Sequence, residues 1–187
     1  MTLEGTNWWK AFAVVMVIAM IGTAHLLMNH DRIVRAETID AVPVRPADPI
    51  RQAQLLSVAG VLGQFPECRA QFPRIVYQVV DAARGAGFDP QLLASVVVVE
   101  SRCDALAVSY KGAIGAVQIV PRVWASDFDF RNRYNLFNFE DNLTVGAQIL
   151  ESEIKRYGLR QGLEHYQGTG AGRDGTYVER ILKLAGR

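Results

Sequence analysis

Glu100 closes an unbroken apolar run, Val96-Val97-Val98-Val99, and is followed at once by Ser101. Such a run promises a poorly solvated setting, which disfavours the charged carboxylate and keeps the proton on. A carboxyl protonated near neutral pH is a general acid, the group needed where a leaving oxygen takes up a proton as its bond breaks, as in glycosidic cleavage. A solvated glutamate in a last helical turn would satisfy the same run, so the residues around it must decide. Asp104, four residues on, is the nearest acidic neighbour; it fits the helical face of Glu100, or, preferably, a cap on the next turn.

Other reactive side chains are sparse. Cys68 and Cys103 are the only cysteines in 187 residues, too few for a four-cysteine metal site; in an exported chain they are either a disulfide or two free buried thiols. His25, His30 and His165 are too scattered to ligate a metal together, and no cofactor is called for. The glycines at 168, 170, 172 and 175 follow no clear strand, which argues for a flexible edge rather than a phosphate loop. With 50% hydrophobic and 21% charged residues and a formal net charge of +1, the chain is globular in composition and lacks a field for nucleic acid.

The elements that must position these groups read as mainly α. Ile75, Val76, Val79, Val80 and Ala83 recur at helical spacing until Gly85 and Gly87. Asp89-Pro90 supplies an N-cap and a proline at the first helical position for QLLASVVVVESR, which puts Glu100 at a helix C-terminus. Lys111 to Gln118, with Gly112 and Gly115, reads as a loop, and Pro121 opens a short helix through Trp124. Asp141 can cap a helix carrying Leu143, Ala147, Leu150, Ile154 and Tyr157, stopped by Gly158. Thr176 and Glu179 fit a capping box for a last helix with Val178, Ile181 and Leu182.

Before this domain, Ala11 to Met28 carries no Asp, Glu, Lys or Arg and as a helix would span roughly 27 Å, close to a bilayer core. Trp8, Trp9 and Lys10 precede it as an interfacial belt would. Residues 1–35 are therefore a membrane anchor or an export signal; small residues at Gly22-Thr23-Ala24 and Val34-Arg35-Ala36 allow cleavage, and an uncleaved anchor is favoured. Residues 36–51, with Pro43, Pro46 and Pro49, read as a semi-rigid extended tether, and the folded domain is expected over 52–187.

Glu100-Ser101, then Ser109, then Lys111-Gly112-Ala113-Ile114-Gly115-Ala116-Val117-Gln118, then Pro121, resemble the soluble lytic transglycosylase domain of the lysozyme-like superfamily. Asn142, Gly146 and Leu150 look like that family's Asn-x-x-x-Gly-x-x-x-Leu helix, His165-Tyr166-Gln167-Gly168 like its Ala-Tyr-Asn-x-Gly segment, and Tyr177-Val178 like its Tyr-Val pair. The likeness runs over roughly residues 75 to 184 with its motifs in order. Two departures stand out: Ala116-Val117 in place of Leu-Met, and Gln167 in place of Asn, which keeps an amide on a longer arm.

The resemblance implies a lysozyme-like helical fold and an enzyme that cleaves the bond between N-acetylmuramic acid and N-acetylglucosamine in peptidoglycan. Glu100 would be the acid, then the base that draws the muramyl 6-hydroxyl onto the anomeric carbon, giving a 1,6-anhydro sugar. Ser109, Gln118, Tyr166, Gln167 and Tyr177 would be substrate-binding, with Tyr166 positioning Glu100 or the sugar and Tyr177 lining the cleft. Tyr110, Trp124 and Tyr134 could stack on sugar faces or serve the core. Implied partners are the glycan strands, the inner membrane through the N-terminal segment, and a secretion, conjugation, pilus or phage assembly; the implied place is the periplasm. A goose-type lysozyme and a non-catalytic peptidoglycan-binding protein are the competing readings.

Overall fold

Proline opens four of the helices. The computed structural model describes residues 48–168 and 175–187, and in it Pro49, Pro66, Pro90 and Pro121 each stand in the first turn, where a missing N–H costs nothing. The helices among the described residues are α1 (Pro49–Leu62), α2 (Pro66–Arg69), α3 (Arg74–Ala86), α4 (Pro90–Ser101), α5 (Pro121–Trp124), α6 (Phe139–Tyr157), α7 (Leu159–Gln167) and α8 (Thr176–Leu184). Extended pairing among them is limited to two isolated antiparallel bridges, Val108 with Ile114 and Ile114 with Ile119. The domain is mainly α, as expected.

α4 is the hub, packed by α1, α3 and α8. Asp89 caps it, accepting from the N–H groups of Gln91 (2.8 Å) and Leu92 (3.2 Å). Every residue from Leu92 to Val98 is buried, so the β-branched valines, poor helix formers in isolation, are held by packing on all sides. Burial of each large apolar side chain here contributes about 1.5–3 kcal/mol. Around this hub α6 packs on α3 and α7, and α7 on α8.

Several local expectations are corrected. α1 begins at Pro49, within the stretch expected to be tether; Asp48 caps it, accepting from Ile50 and Arg51 N–H (3.0 and 3.2 Å), so Pro49 starts a helix rather than extending the chain. α6 is capped by Asn138, not Asp141; Asp141 lies in the first turn and accepts from Asn135 N–H (2.9 Å). α8 has Gly175 at its N-cap, and Glu179 pairs with Arg160 (2.5 Å) instead of completing a capping box.

Cys68 and Cys103 are joined in a disulfide, their Cα atoms 5.3 Å apart and 35 residues separated in sequence; closing that loop contributes roughly 4 kcal/mol by loop entropy. The apolar run Ala11–Met28 and most of the proline tether lie outside the described residues. Among those described, no helix is long and apolar enough to cross a membrane.

Candidate active site

Glu100 occupies the last turn of α4, part-buried, and the phenolic Oη of Tyr177 donates a hydrogen bond to its Oε1 at 2.6 Å. Loss of solvent pushes the carboxyl pKa up to about 7; the Tyr177 hydrogen bond and then the Arg180 guanidinium oppose that rise. Tyr177 lies on α8 and is itself 8% exposed, and burial together with the Glu100 charge drives its own pKa well above 10, so its proton stays on to be donated.

The end of α4 is tied to the glycine-bearing loop. Ser101 Oγ donates to the Ala116 carbonyl (2.7 Å), and Tyr166 Oη, from α7, donates to the Val117 carbonyl (2.6 Å). Asn142, fully buried on α6, completes the clamp: its Nδ2 donates to Ile114 and Leu136 carbonyls (both 3.0 Å), and its Oδ1 accepts from Val117 N–H (2.9 Å). Two glycines make this approach possible. At Gly115, φ is +81° and a Cβ would stand 2.2 Å from Asn142 Nδ2; at Gly146 it would stand 2.3 Å from Val117 Cγ2.

The expected binding residues separate into those engaged in the loop and those open to solvent. Ser109 Oγ accepts from Ala113 N–H (3.0 Å), pinning the turn. Gln118 adopts a left-handed φ of 53° and turns its Nε2 back onto Ala107 and Gly115 carbonyls (3.2 and 3.0 Å). Gln167 is exposed at the end of α7, and its side chain makes no hydrogen bond to another described residue. The direct partner of Glu100 is Tyr177; Tyr166 holds the loop, and burial, then the Glu100 charge, raise its pKa well above the ordinary phenol value. Trp124 and Tyr134 pack against the core, whereas Tyr110 is 94% exposed.

Asp104 accepts from Leu106 N–H (2.8 Å) and so turns the chain. Glu153, a buried acid on α6, faces His165 Nδ1 at 3.5 Å. Among the described residues, no second carboxylate is among the charges acting on Glu100. Sequence reasoning missed the roles of Asn142, Ser101 and Arg180. Asn142 and Ser101 carried a signal as members of the ordered motifs, though not of these bonds; Arg180 carried none.

The helical domain ends its buried central helix in a carboxyl raised to about 7, beside a loop clamped by an asparagine, an arrangement consistent with the lysozyme-like class that the sequence motifs resemble. The family described as Transglycosylase SLT domain matches residues 79–178, more than half of the chain, and the chain belongs to that family. Similar proteins include membrane-bound lytic murein transglycosylase F of Desulfosudis oleivorans, 36% identical over 87 residues (46% of this chain, 18% of that protein). Membrane-bound lytic murein transglycosylase C of Glaesserella parasuis is 37% identical over 97 residues, covering 48% of this chain and 26% of its own length. The chain thus spans about a quarter or less of these relatives. No solved structure matches it significantly.

Proposed function

We propose that this chain is a peptidoglycan lytic transglycosylase that cleaves the β-1,4 bond between N-acetylmuramic acid and N-acetylglucosamine and leaves a 1,6-anhydromuramyl end. The observation that carries the reading is Glu100 with its pKa near 7, bonded through Oε1 to Tyr177, with no carboxylate of another described residue among the charges acting on it. With Tyr177 donating to Oε1, the carboxyl proton sits on Oε2 and passes to the leaving glycosidic oxygen. The resulting carboxylate then takes the proton of the muramyl 6-hydroxyl as that oxygen closes on the anomeric carbon. One group serves as acid and base in turn, so the carboxylate pair of a hydrolytic glycosidase is not required. A pKa near 7 suits both steps, since each protonation state is populated at neutral pH.

Ser109 and Gln118 shape the loop that meets the sugar, while Gln167 and the exposed ring of Tyr110 are available to the strand. The relatives' names describe them as membrane-bound lytic murein transglycosylases. That description, with the apolar run Ala11–Met28, supports placement of this chain at the inner membrane with its domain in the periplasm. Service to a secretion, conjugation, pilus or phage assembly fits an anchored enzyme of this kind.

Digestion of purified peptidoglycan by the full chain, with Glu100→Gln beside it and products identified by mass spectrometry, tests the proposal. Anhydro-muropeptides from the wild type alone are expected. Reducing-end products would assign a lysozyme instead, and no products from folded wild type would leave a binding protein.

A further inference from the structure

Immediately beyond Glu100 the backbone does something that side-chain-bearing residues rarely do. Arg102 (φ 52°) and Cys103 (φ 70°) are consecutive left-handed residues, and neither is glycine. Such a conformation persists only where its surroundings impose it. Three contacts converge on these two residues from α2 and the turn after it. Cys68 forms the disulfide with Cys103, Gln71 Nε2 donates to the Cys103 carbonyl (2.9 Å), and Glu67 pairs with Arg102 (3.4 Å). The ion pair is exposed and weak; the disulfide and the Gln71 bond, at a fully buried cysteine, are the strong members.

We propose that the Cys68–Cys103 disulfide is a positioning element for Glu100, an oxidised clip on α2 that fixes the end of α4 so that the carboxyl stays under Tyr177. Cys103 lies three residues past Glu100, and Ser101, between them, carries the bond to the Ala116 carbonyl. Opening the clip frees Arg102 and Cys103 to leave the left-handed region, which lets the last turn of α4 fray and admits water to Glu100. The chemistry is simple: a thiol reductant supplies two electrons and two protons, the Sγ–Sγ bond breaks, two thiols result, and the reductant leaves as its own disulfide. Turnover is thereby tied to an oxidising compartment. The part played by Glu100 rests on the proposed function, but its placement does not.

The test compares the full chain oxidised and fully reduced by a dithiol, with Cys68→Ser/Cys103→Ser as a third sample. Three quantities are read: helical circular dichroism, kinetics on glycan, and titration of the Glu100 carboxyl by carbon-13 NMR, assigned with Glu100→Gln. Expected on reduction are an intact helical signal, an unchanged KM, a kcat lower by about 10²-fold, and a Glu100 pKa that falls from about 7 towards the ordinary carboxylate range. An unchanged kcat and an unchanged Glu100 titration in the reduced protein would overturn the proposal. If the oxidised wild type releases no product, the functional reading fails, and the carboxyl titration still decides the positioning role. If reduction unfolds the chain, Gln71→Ala with the disulfide intact takes over: a fall in the Glu100 pKa supports the clip, and an unaltered titration refutes it.

Discussion

At the scale of single residues, the decisive quantity is the protonation state of Glu100. Its pKa of about 7 in the folded chain stands above the ordinary 4.5, so the folded state binds the proton more tightly than the unfolded one. The associated stability is fully present below pH 4.5 and is lost as pH rises through 7; the gap corresponds to at most about 3 kcal/mol. Replacing Glu100 by Gln removes this dependence. Thermal melts are expected to show the variant several degrees more stable than wild type at pH 8.5 and little different at pH 4, whereas a parallel offset at both would refute the linkage. In turnover the same substitution is expected to cost about 10²–10⁴-fold, the usual contribution of a general acid. Tyr177→Phe deletes the hydrogen bond that holds the Glu100 pKa down. The alkaline limb of kcat/KM is therefore expected to move up by about one pH unit, with a lower plateau; a limb that stayed in place would show that Tyr177 does not couple to the proton.

At the scale of elements, the site is a junction of four helices and one loop, and α6 is what makes the loop rigid. From a fully buried position Asn142 satisfies one carbonyl and one N–H of that loop, Ile114 and Val117, together with the Leu136 carbonyl in the segment before α6. Asn142→Ala strands those groups and is expected to destabilise the domain by about 3 kcal/mol, measured by urea unfolding. Gly146→Ala drives a methyl into Val117 Cγ2. A loss of about 1–3 kcal/mol is expected, with turnover falling further than stability because Val117 and Tyr166 move together. A variant as stable and active as wild type would show that α6 gives way easily. The sequence made the types of these elements legible where a start signal and an apolar period coincided, as in α4, whose Asp89-Pro90 cap fixed its beginning. α1 opens with the same pair, Asp48-Pro49, yet it read as tether because the prolines before it set the expectation. α7 was not foreseen: it follows directly on Gly158, read as a stop, and carries Gly162, where a Cβ would meet Ile154 of α6.

At the scale of the whole molecule, the described residues belong to one compact unit, Ala47–Arg187, that contains Glu100, Tyr177 and the loop together. A chain starting at residue 47 is expected to melt in a single transition and to digest soluble glycan as the full chain does, while losing any partition into membranes. Fractionation of cells carrying each form checks this, and equal membrane recovery of the two would remove the N-terminal run as anchor. By itself the sequence determined the helical class and the family, and pointed to Glu100 as a carboxyl in an unsolvated setting, because an apolar run, a capping pair and a motif order are local along the chain. Only the tertiary structure decided that Tyr177 rather than Tyr166 grips Glu100, that Asn142 clamps the loop, and that Cys68 reaches Cys103. Those partners lie from 25 to 77 residues apart in the chain, and hydrogen bonds and disulfides are selected by distance in space, which no spacing along the sequence encodes.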